Sequence, residues 1–257
     1  MRRLFWGIAV LVVVVLATGP VNADDDFKTL YIGVNGGWAQ GNSHATTTTV
    51  FSPTGYFASS SVPAIATAGD QKFSSNGFTV GGQVGFNLQF RRVVFGLEAD
   101  GGAMNLSQQK TSGATYPCCA PTAFTITQFT GTTFLATLRP RIGVTFRKLL
   151  IYGTAGLAVT DVEYTEQFVD TFASAHESGA TTRDRAGWAA GGGVEYRFRK
   201  RWSIKGEGLH CDFGNVFTTS TNLKAFTPPI PFPTNVFTHS ASLNGNVYRA
   251  GLNFHSW

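Results

Sequence analysis

The sequence predicts an all-β protein: an eight-stranded antiparallel transmembrane β-barrel of up-and-down topology, with short periplasmic turns and long extracellular loops. Three observations predict it. Eight segments alternate bulky apolar residues with small or polar ones, their connections alternate between very short and long, and an export signal precedes them all.

The signal comes first. Met1 to Arg3 carry positive charge, Leu4 to Leu16 form an apolar core, and Val21-Asn22-Ala23 makes a small-residue cleavage site ahead of the acidic run Asp24 to Asp26. The apolar core is shorter than the roughly 20 residues of a spanning helix, which favours a cleaved signal over an anchor. The expected domains are a signal peptide over 1–23 and a barrel over 24–257.

The strands are expected over Leu30–Gln40, Phe78–Phe90, Val93–Leu106, Phe134–Phe146, Leu149–Asp161, Arg185–Phe198, Trp202–Phe213 and Val247–His255. In the second of these, Phe78, Val80, Val84, Phe86, Leu88 and Phe90 share one face, while Thr79, Gln83, Asn87 and Gln89 share the other. Arg91-Arg92, Arg147-Lys148 and Arg199-Lys200-Arg201 are the tight turns. Residues 41–77, 107–133, 162–184 and 214–246 are the long loops, rich in Thr, Ser and Asn.

A tight turn fixes which residues face each other across a hairpin. Around Arg91-Arg92 the outward pairs are Phe90 with Val93, Leu88 with Phe95, Phe86 with Leu97 and Val84 with Ala99. Around Arg147-Lys148 they are Phe146 with Leu149, Val144 with Ile151, Ile142 with Gly153 and Leu138 with Leu157. A three-residue turn centred on Lys200 pairs Phe198 with Trp202, Tyr196 with Ile204 and Val194 with Gly206. All three hairpins turn bulky apolar groups outward and polar ones inward, as hydrocarbon requires. A soluble lipocalin-like barrel would show the opposite polarity. Phe90, Phe146, Phe198 and Trp202 stand beside the basic turns as one membrane-interface girdle, and Trp38 and Trp188 are expected at the other.

Composition agrees. Charged residues are 14% of the chain and glycines number 30, with no later apolar run long enough for a transmembrane helix. The net charge of +5, about +3 without Arg2 and Arg3, is too small and dispersed for a nucleic-acid partner.

The strand segments also carry a resemblance. Tyr31 to Gly37, Gly81 to Asn87, Phe95 to Asp100, Leu138 to Gly143, Tyr152 to Ala158, Gly191 to Tyr196 and Arg249 to Phe254 resemble, in that order, small outer-membrane β-barrel proteins of alphaproteobacteria. These are often called porin-family or opacity-like surface proteins and are related in architecture to the OmpA membrane domain. The resemblance implies the cell outer membrane, with a surface or envelope-integrity role; it does not supply an active site. Implied partners are outer-membrane lipid and lipopolysaccharide, the barrel-insertion machinery, and host or cell-surface ligands met through the loops. Two positions depart from the pattern: Pro140 lies mid-strand, where a bulge or local distortion is expected, and Trp257 falls one residue out of phase with Tyr248, Ala250, Leu252 and Phe254.

The inward face collects Glu98, Asp100, Arg139, Arg141, Glu195, Arg197, Lys205 and Glu207, and the register sets Glu195 opposite Lys205. Buried charges need partners, so these read as a structural ion-pair network or as the lining of a narrow ion path. An eight-stranded barrel is barely wide enough for its own side chains, which disfavours a wide pore.

The histidines are His44, His176, His210, His239 and His255. Only His210 with Asp212 forms a suggestive pair, and no nucleophile motif accompanies it. H-x-x-x-H and paired C-x-x-C spacings are absent. No catalytic, cofactor or metal residues are therefore assigned, and the chain reads as a non-enzyme, a lipid-modifying enzyme being the remotest reading. An adjacent pair such as Cys118-Cys119 seldom bonds to itself because the ring is strained, so a bridge from Cys118 or Cys119 to Cys211, leaving one thiol over, is one option for the cysteines.

Overall fold

The computed structural model describes Phe27 and residues 29–256; the signal sequence, its cleavage site and Trp257 lie outside the described residues. Ten strands and one helix follow in chain order: β1 (Leu30–Thr49), α1 (Ser61–Gly69), β2 (Gln71–Phe90), β3 (Val93–Thr115), β4 (Ala123–Phe146), β5 (Leu149–Asp170), β6 (His176–Arg199), β7 (Trp202–Ser220), β8 (Lys224–Ala225), β9 (Ile230–Pro231) and β10 (Phe237–His255). Eight of them, β1 to β7 and β10, form a closed antiparallel ring in which β1 pairs with both β2 and β10. The short strands β8 and β9 form a small hairpin in the last outer connection, joined to β6 at His176. Closure removes the unpaired edges that neither lipid nor water-exposed sheets tolerate.

Two of the three hairpins hold the expected register at every pair. Arg91 and Arg147, the first residues of their turns, adopt φ of 57° and 56°, the left-handed conformation that a two-residue hairpin turn demands. The third hairpin differs. Arg199, not Phe198, pairs with Trp202, and a bulge between Arg197 and Arg199 restores the expected pairs Tyr196–Ile204 and Val194–Gly206. The turn is therefore Lys200-Arg201, and the extra residue is absorbed by a bulge that leaves Phe198 outward.

Pro140 causes no register shift. The ladder between β4 and β5 is interrupted at Arg139 and Pro140, and the Thr154 hydroxyl donates to the Pro140 carbonyl at 2.8 Å. The ladder opens there because proline has no N–H to donate to it.

All eight ring strands run well beyond their expected outer ends, and the physical reason is visible in β5. From Ile151 to Leu157 the apolar side chains point outward, as lipid requires. Beyond Asp161 the alternation inverts: Val162, Tyr164 and Phe168 point inward while Glu163 and Gln167 face out. The strand continues into water, where the soluble-barrel polarity applies. At the changeover β4 carries an irregularity between Gly131 and Leu135, and the Asp161 carboxylate fills the broken ladder by accepting from the amides of Thr133 (2.8 Å) and Phe134 (3.2 Å). The outer connections shrink accordingly; the expected loop 107–133 becomes residues 116–122.

Candidate functional site

Side chains fill the lumen from one rim to the other in successive layers. At the periplasmic end Phe27, fully buried, packs with Val94, Leu150 and Tyr152, and its backbone N–H donates to Gln89 Oε1 at 2.9 Å. Arg197 lies over the Phe27 ring at 5.1 Å.

The charged layer comes next. Arg139 is completely buried and donates to Glu98 (2.9 Å), Asp100 (2.8 Å) and Glu207 (3.1 Å). Arg249 reaches Asp100 and Glu207, each at 2.8 Å. Lys205 donates to both oxygens of Glu98, at 2.7 and 2.8 Å, and Arg141 pairs with Glu195 at 3.1 Å. Tyr31 donates to Glu98 (2.6 Å) and Tyr152 to Glu207 (3.1 Å). A Cβ on Gly85 would run into the Tyr31 ring, so a glycine there makes room for it. Four carboxylates thus face four cations, and such matching is what makes dense burial of charge tolerable.

Above the charges lies an apolar layer containing Met104, Leu106, Leu135, Leu209, Phe213, Leu243 and Val247. Then comes a second polar layer. Both nitrogens of His239 face carboxylates, Nδ1 standing 3.6 Å from Glu166 and Nε2 3.5 Å from Glu177, with all three side chains fully buried. Desolvation, reinforced by the neighbouring Glu177 charge, pushes the Glu166 carboxyl well above the usual carboxylate range.

A cap closes the outer end. Phe57, Ile65 of α1, Tyr116, Phe124, Phe168, Leu223 and Phe237 pack into one cluster. Asp170 ties three connections together, accepting from the hydroxyls of Tyr56 (2.6 Å) and Tyr116 (3.0 Å) and from the Ala175 amide (2.9 Å). Burial, followed by that carboxylate, raises both phenols above their ordinary value. Asn235 joins the fourth connection to the first through the Tyr56 amide at 2.6 Å.

Residues 8–227 match the family model described as outer membrane protein beta-barrel domain. The chain belongs to this family. It is 30% identical over 226 residues to the 31 kDa outer-membrane immunogenic protein of Brucella melitensis biotype 1, covering 87% of this chain and 81% of that protein. The protein of the same name from Brucella suis biovar 1 gives the same figures. Among solved structures, outer membrane protease OmpT from Escherichia coli overlaps with a TM-score of 0.36 at 10% identity, covering 93% of this chain and 99% of that one. A likeness of that size says nothing about activity. This family member is an outer-membrane β-barrel protein.

Within this barrel, seven of the eight inward charges expected from the sequence meet in the network: Glu98, Asp100, Arg139, Arg141, Glu195, Lys205 and Glu207. Arg197 sits below them, at the Phe27 floor. Glu195 and Lys205 are opposite in register, yet Lys205 reaches across the lumen to Glu98, and Glu195 takes Arg141, Ser203 and Asn253 instead. Facing backbones fix a strand position; long side chains in a narrow bore choose partners across it. Arg249 escaped the sequence reading although its neighbours Tyr248 and Ala250 signal its inward phase. Glu166, Glu177 and His239 lay in segments expected to be loops.

Phe90, Phe146, Phe198 and Trp202 all face outward at the basic rim, and Trp38 stands between Phe78 and Tyr248 near the far edge of the lipid-facing band. Trp188 lies outward beside Leu157 and His210, whose imidazole contacts the indole at 5.4 Å and bonds Asn246 rather than Asp212. The cysteines pair differently from the loop-to-barrel option. Cys118 bonds Cys119, while Cys211 is buried in the apolar layer, remote from the cap.

Proposed function

We propose that this protein is a non-enzymatic, non-conducting surface protein: the lipid-facing half anchors it, and the outer rim presents a site for contact with other surfaces or molecules. The observation that carries this reading is an exposed aromatic patch on a sealed end. Phe172 and Phe226 are 57% and 44% exposed, and the Tyr56 ring lies 6.2 Å from each, joining them into one patch with Phe232. Soluble faces seldom retain contiguous apolar groups without a binding use. Phe226 is held at φ 73°, a left-handed conformation costing a bulky residue on the order of 1–2 kcal/mol, and such strain tends to persist where a function maintains it.

The filled lumen supports the non-conducting half of the reading. Any ion would have to pass the Phe27 floor, a charge-matched network, an apolar layer and the cap in turn. The Brucella relatives are named immunogenic outer-membrane proteins, which fits outer connections reachable by antibodies. The test uses a Phe172→Ser/Phe226→Ser variant alongside the wild type. Reduced attachment of whole cells to host cells, with unchanged heat-modifiable gel migration, is expected from the variant. Steady single-channel conductance by the wild type in a planar bilayer would refute the reading.

A further inference from the structure

The two polar layers of the lumen differ in charge balance. The lower network matches each carboxylate with guanidinium or ammonium groups. Among the described residues, the upper cluster holds two glutamates and one histidine with no lysine or arginine against them. Both oxygens of Glu166 and Oε2 of Glu177 are buried without a hydrogen-bond partner of good geometry, and so are Gln128 Oε1 and the Tyr164 hydroxyl beside them. Native proteins seldom leave buried carboxylates unsatisfied, because each costs several kcal/mol. In the metal-free chain a proton on Glu166 eases the repulsion between the acids, and a cation between them would take its place and supply the missing partners.

We propose that Glu166, Glu177 and His239 form a binding site for one divalent transition-metal ion of the zinc type, enclosed in the extramembrane part of the barrel beneath the cap. Their ligand atoms lie within 4.8 Å of one another. Donors around a tetrahedral zinc ion stand about 3.4 Å apart, so small rotations of the two glutamates close the site. Mixed imidazole and carboxylate donors suit zinc, iron or nickel; calcium and magnesium favour oxygen-only sites. One imidazole nitrogen binds the ion while the other keeps a hydroxyl partner, Thr47 Oγ1 at 3.1 Å or Ser220 Oγ at 3.0 Å, which fixes the ring as outer partners do in metal sites. Gly179, across from Glu166, leaves space for that ring: a Cβ there would stand 2.7 Å from His239 Cδ2. The site goes beyond the proposed surface role and does not depend on it.

The test is calorimetric titration of zinc chloride into the full-length barrel, purified in detergent and stripped with chelator, with calcium chloride as the comparison. One zinc per chain is expected, with calcium binding far weaker. His239→Ala and Glu166→Gln should each weaken zinc binding by about 100-fold or more. Gly179→Ala should weaken it by less, through ring displacement. Heat-modifiable migration verifies that each variant folds. X-ray absorption of the zinc-loaded wild type supplies a readout independent of any variant, with one imidazole in a nitrogen–oxygen shell expected. Absence of saturable zinc binding, a shell lacking imidazole, or undiminished affinity in His239→Ala would overturn the proposal; the last would assign the ion to exposed groups such as His44 and Asp70, 2.7 Å apart.

Discussion

Replacing Arg139 by methionine probes how charge matching stabilises the plug. The guanidinium gives five hydrogen bonds: one to Thr137, one each to Glu98 and Asp100, and two to Glu207. Methionine keeps much of the volume and removes the charge, leaving four carboxylates against three cations in the layer. Breaking a buried pair from one side costs about 3–5 kcal/mol. The lower end is expected, because each acid keeps another partner: Glu98 keeps Lys205, Asp100 keeps Arg249 at 2.8 Å, and Glu207 keeps Arg249 and Tyr152. Adding Glu207→Gln restores the balance, so the double variant should be more stable than the sum of the singles by about 1–3 kcal/mol. Urea unfolding in detergent micelles, followed by tryptophan fluorescence and heat-modifiable migration, measures all four corners of the cycle. An Arg139→Met protein within about 0.5 kcal/mol of wild type, or strict additivity with Glu207→Gln, would refute the reasoning.

Asp170→Ala removes the acceptor shared by Tyr56, Tyr116 and Ala175, and should open residues 50–60 to protease on intact cells while leaving the barrel heat-modifiable; unchanged digestion would count against a cap tied at Asp170. Mild reduction followed by alkylation should label Cys118 and Cys119 and spare Cys211 until urea unfolds the barrel, and mass spectrometry checks the sites; equal labelling of Cys211 would contradict its burial. With metal stripped, Glu166 keeps its proton in the folded state over a range in which the unfolded chain has lost it. The unfolded state then binds fewer protons, so this group's contribution to stability falls as pH rises from its ordinary value of 4.5 towards about 10. The difference in stability between wild type and Glu166→Gln, measured across that range in chelator, should therefore shift in the variant's favour with rising pH; a flat difference would contradict a carboxyl held protonated by burial.

The membrane half of each strand was legible because one physical constraint, hydrocarbon outside, acts at every second residue. Ile151 to Leu157 announce their orientation, and the Arg91-Arg92 and Arg147-Lys148 turns fix registers to the residue. The outer half was not, because the constraint inverts at Asp161 and the inward set becomes mixed: Val162, Tyr164, Glu166 and Phe168 follow one another on the same face. Read against a lipid-facing template, that run looks like loop. The charged plug was largely readable from phase alone, whereas its pairings were not; Lys205 reaching Glu98 depends on the width of the closed barrel, a property of all eight strands together. Glu166, Glu177 and His239 come from β5, β6 and β10, and nothing in their sequence spacing marks them as neighbours.

The lumen is shut twice by chemically unlike materials, salt bridges at membrane depth and aromatic rings above it, and they share no residue. Substitutions at the outer tip therefore remodel only the upper closure. A change at the exterior can therefore leave the salt-bridged plug at membrane depth untouched.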